Sequence, residues 1–202
     1  MGTLAELKAR LLDELPDGVS VRQIGQHVER AIEHFSATRF WFNQGQLSVT
    51  TTPGSRIVTL TNGLRAEDRV LLVIGSTAYP LEKRSAADLD EAYFDGSTGQ
   101  PTTYNFANNR LTLYPTPDAA YTLSLSGVFN SQTPLTSDAS GNVWTTEAAD
   151  LIAARAKETL CRDILKDAPG AQAAGLAREE AQLRLQAETV HRLNSGILQP
   201  AW

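Results

Sequence analysis

The spacing of apolar residues changes period twice along the chain. Leu4, Leu7, Leu11 and Leu15 recur at helical spacing, and Pro16-Asp17-Gly18 ends that segment. Ser20 followed by Gln23 has the form of a capping box, and Ile24, Val28, Ile32 and Phe35 line one face of the helix it opens. From Phe40 the period becomes alternating. Phe40-Trp41-Phe42, the turn candidate Asn43-Gln44-Gly45, and then Leu47 and Val49 predict a hairpin. Ile57, Val58 and Leu60 predict a strand between Pro53-Gly54 and Asn62-Gly63. The unbroken run Val70-Leu71-Leu72-Val73-Ile74 predicts the centre of a sheet. Residues 85–93 form a short helix capped by Ser85. Strands follow over 102–106, over 110–114 behind the turn Asn108-Asn109, and over 121–129, with Leu111, Leu113, Leu123 and Leu125 at the period-two core positions.

A Ser-, Thr-, Asp- and Gly-rich stretch, 130–142, returns the chain to helix. Thr145 or Thr146 can cap, with Glu147 in the first turn, and Leu151, Ile152, Leu160, Ile164 and Leu165 mark a buried stripe. Pro169-Gly170 is expected to separate this from a last helix over 171–193. There Leu176, Leu183 and Val190 fall seven apart, with Ala173, Ala177, Ala181 and Ala187 between them as a seam for close helix packing. Arg178, Glu179, Glu180, Arg184 and Glu188 cover the remaining faces. Strands segregated from helices argue an α+β fold rather than a parallel α/β sheet. The expected architecture is a helical bundle from N- and C-terminal helices with an inserted antiparallel β-module. Its parts are 1–38 and 143–195 for the bundle, 39–142 for the module, and 196–202 as an extended C-terminal tail. No internal repeat interrupts this order.

Composition narrows the classes. With 42% hydrophobic and 20% charged residues the chain of 202 residues is expected to fold over most of its length. No apolar run approaches the roughly 18 residues that span a bilayer. The N-terminus lacks the basic start and apolar core of a secretory signal, so synthesis and folding in a cytosol are expected. A net charge of -5 disfavours a wide cationic surface, so DNA that meets the protein is expected to slide past it. The single cysteine, Cys161, excludes an internal disulfide and a multi-cysteine metal site, and reads as a small buried apolar residue.

Candidates for chemistry are few. His27, His34 and His191 fall in helical segments, and His27 and His34 lie seven apart, whereas helical metal pairs sit three or four apart. The sequence carries no zincin motif, Walker loop, nucleophile elbow or dinucleotide glycine pattern, and no cofactor is expected. Asp88, Asp90, Glu91 and Asp95 form an acidic group better explained by the start of a short helix than by a glycosidase pair or a calcium loop. Phe40-Trp41-Phe42 reads as core at the helix-to-sheet junction. The terminal segment is different: Ile197, Leu198 and Trp202 follow a helix terminator, and Pro200 bars helix or central-strand pairing. Such a segment either folds back or docks on another chain, and its tryptophan favours docking.

Tyr79-Pro80-Leu81, Gly99-Gln100-Pro101-Thr102-Thr103-Tyr104, Leu111-Thr112-Leu113-Tyr114-Pro115-Thr116-Pro117-Asp118, Tyr121-Thr122-Leu123 and Asn142-Val143-Trp144 ahead of Ala149-Asp150-Leu151-Ile152 together resemble the head-to-tail adaptor (connector, or neck) proteins of tailed bacteriophages, particularly of podovirus type. The likeness spans about residues 20 to 170. It implies a non-enzymatic virion protein at the neck. It implies a dodecameric ring that joins the portal protein to tail or nozzle proteins and continues the DNA channel. It also implies that the C-terminal segment clasps the portal, which gives Ile197, Leu198, Pro200 and Trp202 a docking role. Two alternatives are a virion-carried peptidoglycan hydrolase using Asp88, Asp90, Glu91 and Asp95, and a host glycan-binding module using Trp41 or Tyr104.

Overall fold

Local capping fixes where the N-terminal helices begin. In the computed structural model, which describes residues 2–61, 63–92, 96–129, 135 and 137–194, the Thr3 hydroxyl accepts the Glu6 N–H at 3.2 Å to start α1, Leu4–Glu14. The Ser20–Gln23 box is formed in both directions: the Gln23 N–H donates to Ser20 Oγ at 3.3 Å and the Ser20 N–H to Gln23 Oε1 at 2.8 Å. It opens α2, Val21–Phe35. The chain divides into two compact units, Met1–Phe42 with Gln132–Trp202, and Asn43–Ser131. The expected α+β class holds, with helices at both ends and antiparallel ladders between them.

The strand unit runs β1 Gln44–Thr50, β2 Ile57–Thr59, β3 Leu64–Ile74, β4 Thr77–Pro80, β5 Glu82–Lys83, α3 Ala86–Ala92, β6 Thr98–Gly99, β7 Thr103–Ala107, β8 Arg110–Tyr114, β9 Thr116–Pro117 and β10 Thr122–Phe129. One sheet has the order β1-β10-β3-β4 and a second the order β2-β8-β7-β5, with β6-β9 as a separate pair. Pairing is antiparallel except at the two-residue contacts β5-β7 and β6-β9. Leu111, Leu113, Leu123 and Leu125 are fully buried, as their alternation predicts. Asn108 and Asn109 both take positive φ, the conformation a tight β7-β8 turn requires.

One expectation here fails. β1 does not fold back on Phe40-Trp41-Phe42; its partner is β10. The aromatics are committed elsewhere: Phe40 and Phe42 pack on Trp144 with ring centroids 6.1 and 5.1 Å away, in the helical unit. The run 70–74 lies in an interior strand but is not buried throughout. Val70 and Leu72 are enclosed, Leu71 and Val73 half-buried and Ile74 exposed, as in an antiparallel sheet with one covered face.

In the helical unit, Leu4, Leu7, Leu11, Ile24, Val28 and Phe35 meet Leu151, Ile152, Ala156 and Leu160 in one core. Asn142, rather than Thr145 or Thr146, caps the short α4, Val143–Thr146, by accepting the Trp144 N–H at 3.0 Å. Thr145 instead supplies the reciprocal half of that box, accepting the Asn142 N–H at 2.9 Å. α5, Ala149–Leu160, continues into a π-helical turn over Cys161–Leu165 and stops at Lys166, whose φ of 56° is left-handed. The break therefore comes before Pro169, not at it. Pro169 sits in the first turn of α6, Ala168–Asn194, where its missing N–H has no intrahelical carbonyl to serve. Asp167 caps that turn, its carboxylate accepting the Gly170 N–H at 3.1 Å.

Gly127 sits at a register shift between β10 and β3. A Cβ there would collide with the Ala66 carbonyl and lie 2.8 Å from Leu64 Cδ1 and 3.0 Å from Glu67 Cα. Backbone cannot yield cheaply, so Gly127→Ala is expected to destabilise the protein by about 1–3 kcal/mol in urea unfolding. An unchanged midpoint would show that the bulge relaxes at no cost.

Candidate functional site

The long C-terminal helix carries two opposed apolar faces. At 27 residues α6 is about 40 Å long. Ala174, Ala181, Leu185 and Thr189 turn inward and are buried. On the far side Leu176, Leu183 and Val190 are 63%, 66% and 58% exposed. Ala173, Glu180 and Ala187, also exposed, fall between them at alternating spacings of three and four, the pattern of a coiled-coil seam. The sequence reads the sevenfold repeat as a packing seam, whereas its three large side chains are exposed. Of the alanines expected beside it, Ala181 faces the core, whereas Ala173, Ala177 and Ala187 are exposed.

Ion pairs hold α6 and α1 to α5. Arg10 bonds Glu14 at 2.8 Å and Asp150 at 2.7 Å; Lys157 bonds Glu14 at 3.0 Å, and Arg184 bonds Asp150 at 2.8 Å. Arg10, Glu14, Asp150 and Lys157 line a cleft of about 370 Å³ together with Ala153, Ala173, Ala174 and Ala177. Hydrogen bonds from Arg10 and then Arg184 hold the Asp150 carboxyl below the usual carboxylate range. At the other end of α6, the Trp41 N–H donates to Thr189 Oγ1 at 3.1 Å and the Arg192 guanidinium lies 3.8 Å over the Trp41 ring. The last turns of α6 are thereby fastened to the residues that follow α2.

A second, smaller cleft of about 190 Å³ lies between α2, α5 and the π-helical turn. It is lined by His27, Arg30, His34, Arg155, Thr159, Arg162 and Asp163. Both sequence-marked histidines are thus brought to one place, with arginines that no local pattern singled out. His27 is buried and its Nδ1 lies 2.7 Å from Thr159 Oγ1, whereas His34 is exposed and meets Phe35 edge-on.

The remaining candidates lie apart. Cys161 is buried, and burial pushes its thiol up. His191 is exposed in the last turn of α6. Asp88, Asp90 and Glu91 are exposed on α3, with the Asp88 N–H on Ser85 Oγ at 3.1 Å and Asp90 paired to Arg56 at 3.3 Å. Asp95 lies outside the described residues, as do Ile197, Leu198, Pro200 and Trp202. Tyr104 is buried in the strand core. Among the described residues no group of three or more His, Cys, Asp or Glu could hold a metal ion, and no helix is long and apolar enough to cross a membrane.

A family model described as SU10 adaptor protein matches residues 2–199. No curated protein matches the chain.

The Asp150 pairs generate a pH dependence. A carboxyl held below its usual value contributes stability that is complete above the unfolded value and is lost as pH falls through the folded one. Between about pH 6 and pH 3 the wild-type melting temperature is expected to fall more steeply than that of Asp150→Asn. Parallel curves would remove the pairs from the stability of the bundle.

Proposed function

The chain belongs to the SU10 adaptor protein family, and from that premise we propose that it is a non-enzymatic virion protein that closes into a ring between portal and tail and continues the DNA channel. As a phage adaptor it is a structural protein of the particle that works against other virion proteins. We infer ring closure, a dodecameric stoichiometry, portal and nozzle contacts and passage of DNA through the lumen.

The observation that carries it is the outer stripe of α6. Leu176, Leu183 and Val190 cover about 21 Å of helix, and burying a side chain of this kind is worth roughly 1.5–3 kcal/mol. A ring needs a heterologous contact, in which one patch meets a different patch on the next copy. The residues α1 leaves uncovered, Ala5, Ala9 and Leu12, supply a second apolar surface of helical spacing on the same unit. The stripe of one copy packs on that surface of the next. The acidic balance of the chain suits a lumen through which phosphates slide without being held. Ile197, Leu198, Pro200 and Trp202 form the portal contact, with α6 as the rigid arm from which they leave.

Two variants separate the parts of this reading. Electron microscopy of the wild-type chain mixed with its portal is expected to show a ring added at one end. Leu176→Glu with Leu183→Glu should keep the monomer's circular dichroism and melting temperature, because both side chains face solvent, yet abolish the ring. Intact rings from that double variant would sink the α6 contact.

Removal of residues 196–202 should leave the fold unchanged and weaken portal attachment by at least about tenfold, the equivalent of one lost apolar anchor. Normal attachment by the truncated chain would assign the portal contact elsewhere.

A further inference from the structure

We propose that the cleft between α2, α5 and the π-helical turn is a binding site for a phosphate-class oxyanion, either a free ion or a phosphodiester group of nucleic acid. The site goes beyond the ring reading and stands without it.

The case starts from charge. In a chain of net charge -5, this cleft gathers Arg30, Arg155 and Arg162 with His27 and His34 against a single carboxylate, Asp163. The arginines are not equally committed. Arg162 is held by Asp163 at 2.8 and 3.2 Å. Arg155 bonds Glu158 at 3.0 Å, and Glu158 is shared with Arg178 at 2.9 Å, which also bonds Glu179 at 3.2 Å. Among the described residues Arg30 has no ion pair. A guanidinium that lines a cleft and lacks a carboxylate is a ready donor for an oxyanion, and its planar fork matches phosphate geometry.

The histidines add a proton-linked part. Thr159 Oγ1 lies 3.0 Å from the Ala156 carbonyl, 3.2 Å from the Arg155 carbonyl and 2.7 Å from His27 Nδ1, which ties the imidazole to α5. Burial opposes protonation of both imidazoles; around His27, Arg30 and Arg162 add to that opposition and Asp163 favours the charge. Around His34, Arg155 and Arg178 add to it and Glu158 favours the charge. An oxyanion seated among these cations cancels the repulsion, so binding and proton uptake by the imidazoles support each other.

A cleft of about 190 Å³ admits a tetrahedral oxyanion. Contacts to a phosphoryl group carry no base sequence.

Sulfate is the probe of choice, because its charge is constant where the histidines titrate. By calorimetry it is expected to bind the whole protein about tenfold more tightly at about pH 5.5 than at about pH 7.5. Arg30→Gln, at an exposed and unpaired position, should keep the melting temperature and lose at least about tenfold in affinity. His34→Gln should flatten the pH dependence while leaving binding at the higher pH in place, a result that a merely structural histidine does not give. A short DNA duplex that displaces sulfate through Arg30 identifies the phosphodiester as the ligand; sulfate binding that DNA leaves unchanged identifies a free oxyanion. Equal sulfate affinity in wild type and Arg30→Gln, or no binding at either pH, overturns the site.

Discussion

The packing of α5 against its neighbours is the constraint from which the rest of the helical unit follows. Ala149, Ala153 and Ala156 are buried along it, and small side chains let neighbouring helices approach closely. α5 meets α2 on one side and α6 on another, so it joins helices from opposite ends of the sequence. Once α6 lies on α5 through Ala181 and Leu185, its orientation about its own axis is set. Leu176, Leu183 and Val190 are then left exposed among the described residues. The outward stripe is a geometric result of a buried face only a few residues wide, rather than a failure of packing.

Elements fixed by neighbours in sequence were legible before the structure. The Ser20–Gln23 box and the Leu111–Leu113 alternation each need only residues within one turn or one strand. Errors arose where distant residues decide. Phe40 and Phe42 alternate like the start of a strand, yet Trp144, about a hundred positions away, draws them into the helical core. Pro169 looks like a helix breaker until its place in a first turn is known, where it obstructs nothing. The outward direction of the α6 stripe was unreadable for a related reason: apolar residues on both faces leave no single side that spacing alone can mark as inner.

The candidate sites divide in the same way. A heptad repeat is visible in sequence, so the α6 seam could be found without knowing which way it faces. The arginine cleft could not. Arg30 belongs to α2, Arg155 to α5 and Arg162 to the π-helical turn that continues α5, and the packing of α2 on α5 makes them neighbours. His27 and His34 gave a faint signal, but apart from Arg30 the charge around them comes from more than a hundred residues further along the chain. The terminal residues Ile197, Leu198, Pro200 and Trp202 lie outside the described structure, and their portal role rests on the adaptor reading.

The division of the chain into two units also partitions its chromophores. All five tyrosines fall within 43–131, and all three tryptophans fall outside it. Trp144 sits among Phe40 and Phe42, and Trp41 lies under Arg192. Emission from Trp41 and Trp144 therefore reports on the helical unit, and the phenols belong to the strand unit. Each half of the molecule can be followed optically during assembly with no label added.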